Sequence, residues 1–88
     1  MGNFDLSAKS GQEITFSYMQ EIMKDKKITF VKLSELTGVS RTTLYQNFNF
    51  KTKMLLENYF KICGALELNP YLVPKDIDTT PMKRIDFN

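Results

Sequence analysis

Leu33–Phe48, with the sequence LSELTGVSRTTLYQNF, is the stretch of the chain that decides the fold. Apolar residues recur at helical spacing on both sides of Gly38, which predicts two short helices joined by a tight turn. Glycine suits this turn because it reaches a left-handed backbone conformation without strain. Ser40 is positioned to cap the second of these helices, in which Leu44 and Phe48 share a face. The stretch therefore predicts a helix-turn-helix.

The residues before this stretch predict one longer helix. Ser10 and Glu13 have the spacing of a capping box, so a first helix is expected over Gly11–Lys24. The apolar positions expected to face the core are Ile14, Tyr18 and Ile22, flanked by Met19 and Met23. Residues 1–9 show no clear period and are expected to form a flexible arm.

Cap residues also mark the second, fourth and fifth helices. Thr29 is expected to cap the second helix, Phe30–Thr37, whose two leucines are expected to turn inward. Thr52 is expected to cap a fourth helix, which runs to about Leu66 and is apolar over more than half of its circumference. An asparagine followed by a proline predicts a short fifth helix over Pro70–Val73.

These elements predict an all-α fold in three parts. Residues 10–74 form a compact five-helix domain between the arm and a polar C-terminal tail, residues 75–88. The tail is expected either to be disordered or to contact a second subunit. Within it, Lys83–Asn88 alternates polar and apolar residues, so a short strand on a partner is the second possibility for this segment.

The positive charge of the chain is concentrated in its middle. The formal net charge is only +2, but Lys24–Lys61 carries eight cations against three carboxylates, a net +5. A phosphate-facing surface requires such a segment, and Lys32 within it is expected to contact phosphate. A solvated helix face explains the charge alone equally well.

The composition argues against an enzyme. The chain has no histidine, no glycine-rich phosphate loop and no cluster of residues at metal-ligand spacing, so no catalytic residue, metal or cofactor is expected. Its one cysteine, Cys63, lies among apolar neighbours and is expected to be a buried, inert thiol. No apolar run is long enough to cross a bilayer, and the N-terminal residues do not predict a secretory signal, so a cytoplasmic protein is expected.

The outward side chains of the third helix match the chemistry of duplex DNA. Arginine can donate two hydrogen bonds to guanine, glutamine can bind adenine, and a threonine methyl can meet a thymine methyl. The residues expected to contact bases are Arg41, Thr42, Thr43 and Gln46. Hydroxyl and amide groups suited to phosphates belong to Ser40, Tyr45, Asn47 and Asn49. Any one of them is more often an ordinary surface residue, so the prediction rests on their combination with the helix-turn-helix spacing.

At these residues the chain resembles the Cro/C1-type (XRE-like) helix-turn-helix family. The likeness covers about Ile14–Val73, and its segment LENYFKICGALELNPYL, Leu56–Leu72, is similar to the fourth helix and the start of the fifth. The resemblance implies a five-helix DNA-binding domain. It also implies base contacts from Arg41, Thr42 and Gln46, and phosphate contacts from Ser40 and Asn49.

Two positions depart from that family, and a second family shares part of the pattern. Phe30 stands where a glutamine often contacts phosphate and braces the recognition helix. Phe50 replaces a usual glycine, so a different loop conformation is expected.

The segment GVSRTTLYQNFNFKTKMLL is also similar to TetR-type repressors, which would make Tyr45, Asn47 and Lys51 phosphate contacts. TetR-type proteins continue into a larger helical domain, so chain length favours the Cro-like interpretation.

The sequence therefore predicts a sequence-specific, double-stranded DNA-binding regulator, expected to be a repressor, that reads the major groove with residues 40–48. A homodimer on a near-palindromic operator is expected, without membrane contact or a small-molecule ligand. The candidate dimer surface combines the outer stripe of the fourth helix with Tyr71, Leu72, Val73, Ile85 and Phe87. The alternative is a helical protein-interaction module, or antitoxin-like subunit, with weak or no DNA binding. The modest net charge and Phe30 favour this alternative.

Overall fold

The computed structural model describes residues 4–72 and the backbone of residues 83 and 84. Within these residues the chain forms four α-helices and one pair of antiparallel strands. The helices are α1 (Asp5–Lys26), α2 (Phe30–Thr37), α3 (Arg41–Phe48) and α4 (Leu56–Ala65), and the strands are β1 (Tyr71–Leu72) and β2 (Lys83–Arg84). The predicted helical architecture is confirmed, but the predicted number of five helices is wrong. None of the described helices combines the length and the apolar character needed to span a membrane.

The core takes side chains from all four helices and from the segments that join or follow them. Its buried members are Phe16, Met19, Met23, Leu33, Val39, Leu44, Phe48, Ile62, Cys63 and Leu66. Within this cluster α2 packs against both α3 and α4. The inner face of α3 is therefore held by the core, while its outer face remains in contact with solvent.

Helix α1 begins at Asp5, well before the predicted start at Gly11. Ser10 lies inside the helix, so the predicted capping box is wrong, and residues 5–9 are helical instead of belonging to an arm. The Asp5 carboxylate in the first turn favours this start because it interacts well with the positive end of the helix dipole. Residues 1–3 lie outside the described residues.

The buried face of α1 is also rotated relative to the prediction. Ile14 and Tyr18, predicted to face the core, are 70% and 52% exposed, although Ile22 is partly buried. Phe16 takes their place, and its ring stacks on that of Phe48 with the centroids 5.1 Å apart. A contact with α3 therefore sets the rotation of α1. The predicted burial of its two neighbouring methionines, Met19 and Met23, is confirmed.

The helix-turn-helix itself follows the prediction closely. The side chains of Thr29 and Ser40 cap α2 and α3 by accepting hydrogen bonds from backbone N–H groups three residues later. Gly38 has a φ of 79°, the left-handed conformation predicted for the turn, and Val39 is buried beneath it. One detail is wrong, because Leu36 is exposed and only the other leucine of α2 faces inward.

The chain after α3 differs from the prediction in two places. Thr52 does not cap α4, which begins at Leu56 without a side-chain cap. The predicted fifth helix is wrong because Tyr71–Leu72 forms β1, in which Tyr71 pairs with Arg84. The first two residues of the segment predicted as a strand, Lys83 and Arg84, therefore pair with β1 of the same chain. Residues 85–88 lie outside the described part of the chain, as do Val73 and most of the predicted tail.

Left-handed residues other than glycine end three of the four described helices. Lys27, Phe50 and Glu67 have φ values of 58°, 62° and 60°. At the end of α1, the backbone N–H of Lys27 donates to Lys24 O and the next N–H donates to Met23 O at 2.8 Å. These hydrogen bonds satisfy the last carbonyl groups of the helix, at the cost of a strained conformation for a residue with a Cβ atom.

Replacing Lys27 with glycine is expected to raise the free energy of unfolding by about 0.5–1 kcal/mol, because glycine adopts this conformation without strain. The matched control is Lys24→Gly at an exposed position inside the same helix, which is expected to lower the free energy of unfolding by about 0.5–1 kcal/mol. Urea denaturation followed by circular dichroism measures both. The same sign for the two variants would contradict the assigned backbone conformations.

Candidate nucleic-acid interface

The two faces of α3 carry different chemistry. Residues four apart lie beside each other on a helix, so Leu44 and Phe48 share one face, and both are buried. Arg41 and Thr42 begin the opposite side, which is exposed to solvent. The core therefore anchors the helix and leaves hydrogen-bonding side chains available on its outer face.

Five predicted contact residues line one open depression on this outer face: Arg41, Thr42, Tyr45, Gln46 and Lys51. Four of them come from α3, and Lys51 follows the helix. The backbone N–H of Lys51 donates to Gln46 O at 2.9 Å, which folds the chain back over the helix end. A guanidinium, a side-chain amide, two hydroxyls and an ammonium group are thereby brought together.

Ser40 and Thr43 lie at the N-terminal edge of this surface and interact with each other. The hydroxyl of Ser40 donates to Thr43 Oγ1 at 2.8 Å and accepts from the Thr43 backbone N–H at 3.1 Å. Ser40 is exposed, and Thr43 is partly buried. The pair thus fixes the start of α3, and neither residue lines the depression itself.

Asn47 does not fit its predicted role as a phosphate contact. The residue is only 2% exposed, and its side-chain Nδ2 donates to Thr52 Oγ1 at 2.8 Å. Its Oδ1 is buried and has no hydrogen-bond partner among the described residues. A side chain held this way braces the connection between α3 and α4, and it cannot reach a phosphate without leaving the interior. This burial and the hydrogen bond to Thr52 argue against the predicted phosphate contact of Asn47.

Asn49 and Lys32, the remaining predicted phosphate contacts, lie outside the depression. Asn49 is exposed and its Nδ2 donates to Tyr45 O at 2.8 Å. Lys32 forms an ion pair with Glu35 at 4.0 Å, and both side chains are more than half exposed. Such a pair contributes little to stability, so the ammonium group of Lys32 can exchange its partner for a phosphate.

Phe30 has a role that the sequence analysis missed. Its ring meets Tyr45 edge-on with the centroids 6.0 Å apart, and it meets Phe48 in the same way at 5.3 Å. Phe30 therefore connects the core to a residue of the depression, and it braces Tyr45 by an aromatic contact. The sequence signal for this role was the set of aromatic residues at positions 30, 45 and 48, the first of which begins α2.

Phe50 adopts a left-handed φ of 62°, although it is not a glycine.

Among the described residues, the groups with shifted pKa values are Tyr59 and Cys63, which belong to α4 and not to this surface. Burial raises the pKa of the Cys63 thiol, and a hydrogen bond with Tyr59 partly opposes that rise. Burial also raises the pKa of the Tyr59 hydroxyl, with a further increase from the neighbouring thiol. Cys63 is buried, as predicted, and its raised pKa keeps the thiol protonated and therefore unreactive at neutral pH.

These shifts predict a pH dependence of stability. Both groups hold their protons more tightly in the folded chain, so the unfolded chain loses them first as the pH rises. The free energy of unfolding should therefore fall above pH 9.0, the ordinary pKa of a thiol, and through 10.0, that of a tyrosine. Urea denaturation across this range should show a shallower fall for the double variant Tyr59→Phe/Cys63→Ala. An identical slope for both proteins would contradict the prediction.

A family model for the Cro/C1-type HTH DNA-binding domain matches residues 19–71. The match includes the second part of α1, all of α2, α3 and α4, and every residue that lines the depression. No curated protein and no solved structure matches the chain.

Proposed function

Because the chain belongs to the Cro/C1-type helix-turn-helix DNA-binding family, we propose that it is a sequence-specific transcriptional regulator that binds double-stranded DNA and acts as a repressor. The observation that carries this proposal is the depression on the outer face of α3. It brings together the side chains that we propose to read bases and those that we propose to bind phosphates, next to a helix that is anchored by its opposite face.

In the proposed complex, α3 enters the major groove of DNA, which is wide enough to admit an α-helix. Arg41 donates two hydrogen bonds to guanine O6 and N7, and Gln46 pairs with adenine N6 and N7. Thr42 offers its methyl group to thymine, and Thr43 contributes a hydroxyl at the edge. Repression then requires only that the bound protein occupies DNA needed for transcription.

Phosphate contacts would fix the position of α3 in the groove without reading sequence. Lys51 and Tyr45 are the best placed for this role because they line the depression beside the base-reading residues. Ser40, Asn49 and Lys32 would bind phosphates around its margin, since all three are exposed. Asn47 is left out of the proposed interface because of its burial.

A homodimer would place two copies of α3 on a near-palindromic operator, about 34 Å or one DNA turn apart. Exposed apolar side chains at Leu56 of α4 and at Tyr71 and Leu72 of β1 support a subunit contact. Light scattering at protein concentrations of tens of micromolar tests this, and a monomeric mass would contradict the dimer.

DNA affinity is expected to fall steeply as salt rises, because each phosphate contact releases counterions and contributes about −0.9 to the slope of log K against log salt. Fluorescence anisotropy with random duplex at low salt, followed by a salt titration, measures this slope. Lys51→Gln should make the slope shallower by about 0.9 per protomer. Lys61→Gln is the matched control, because Lys61 lies on α4 and does not line the depression.

The same experiment separates DNA binding from the alternative of a protein-interaction module. No binding of random duplex by micromolar protein at low salt would contradict the proposed function. Binding that is present but insensitive to salt would contradict the proposed phosphate contacts. Selection of bound sites from random duplex then identifies the preferred operator and shows whether it is near-palindromic.

A further inference from the structure

A second open depression lies between α1 and the segment that connects α3 to α4. Its charged and amide-bearing residues are Asp5, Lys9 and Gln12 of α1, and Lys51 and Lys53 of the connection. This surface exists because α1 begins at Asp5, which makes Lys9 part of a fixed helix.

An aromatic contact holds the two sides of this depression together. The ring of Phe50 lies against that of Phe16 on α1, with the centroids 5.5 Å apart. The residues that follow Phe50 are thereby placed alongside the first part of α1. Lys51 lines both this depression and the one on α3, so the two surfaces are continuous.

The charge of the second depression is unbalanced. Lys9, Lys51 and Lys53 bring three ammonium groups to a surface that holds one carboxylate, that of Asp5. Among the described residues, none of these three lysines forms an ion pair. Cations gathered in one concave surface repel each other, and phosphates bound between them would remove that repulsion.

We propose that this second depression is a binding site for the DNA backbone, which extends the interface from the recognition helix onto α1. The inference rests on the proposed function. Lys9 and Lys53 would bind the phosphates that flank the bases read by α3. Lys51 connects the two parts of the surface. The matched family region begins at residue 19, so Lys9 lies outside it.

The test compares the variants Lys9→Gln and Lys53→Gln with Lys61→Gln, which removes the same charge outside both depressions. Each of the first two should make the slope of log K against log salt shallower by about 0.9 per protomer, with an equal loss of affinity on the selected operator and on random duplex. Circular dichroism and thermal unfolding verify that the variants remain folded.

Duplex length provides a second measurement. When the operator is shortened to end at the bases read by α3, the phosphates for Lys9 and Lys53 are removed, so wild type and both variants should bind the short duplex with equal affinity. Salt-dependent binding by wild type with slopes unchanged in both variants would overturn the inference and leave the proposed function intact. Failure of wild type to bind any duplex would overturn the proposed function and the inference together.

Discussion

Replacing Phe48 with alanine is expected to lower the free energy of unfolding by about 3–5 kcal/mol. Phe48 is only 3% exposed, and the centroid of its ring lies 5.1 Å from that of Phe16 and 5.3 Å from that of Phe30. Alanine would remove both aromatic contacts and leave a cavity between α1, α2 and α3. Since a small domain is typically stable by about 5–15 kcal/mol, the variant should be largely or partly unfolded at modest urea concentrations.

Phe50 provides a matched control for this prediction. Its ring also packs against that of Phe16, with the centroids 5.5 Å apart, but the residue is 53% exposed. Phe50→Ala is therefore expected to cost no more than about 1.5 kcal/mol, because much of this ring is already in water and little cavity forms. Urea denaturation followed by circular dichroism compares the two variants. Equal losses of stability would contradict the assigned core.

The turn between α2 and α3 could be predicted from the sequence because short-range chemistry determines it. Gly38, with a φ of 79°, meets a local backbone requirement, and the caps formed by Thr29 and Ser40 involve only residues three positions away. None of these features depends on how distant parts of the chain pack. They are therefore readable from a few consecutive residues.

The rotation and the start of α1 could not be predicted in the same way. Ile14 and Phe16 are both apolar and belong to different faces, so periodicity alone leaves the buried face ambiguous. The stacking of Phe16 on Phe48 resolves that ambiguity, and it joins residues far apart in sequence. Ser10 and Glu13 match a capping box, but residues 5–9 continue the helix and leave no N-terminus there to cap.

The candidate site was predictable only in part for a similar reason. Helical spacing places Arg41, Thr42 and Gln46 outward, and the same spacing places Asn47 beside Leu44, three residues earlier on the buried face. The burial of Asn47 was therefore available from periodicity. The position of Lys9 was not, because it depends on the early start of α1 and on how the α3–α4 connection packs against that helix.

Arg41→Ala is expected to weaken binding to the selected operator by about 1–3 kcal/mol and to relax the base preference at one position of each half-site. Arg41 lies in the first turn of α3 and lines the depression, where its guanidinium can donate two parallel hydrogen bonds to one guanine. Site selection repeated with the variant identifies the relaxed position, and anisotropy titrations on both duplexes measure the lost affinity.

Arg41→Lys is the matched control, because it keeps the positive charge and removes the paired donors. If Arg41 reads a guanine, lysine should restore affinity for random duplex to near that of wild type while discrimination at the relaxed position stays reduced. A uniform loss of affinity in Arg41→Ala across all duplexes, restored by lysine, would instead make Arg41 a phosphate contact. Base reading would then rest on Thr42 and Gln46, the other proposed base contacts that line the depression.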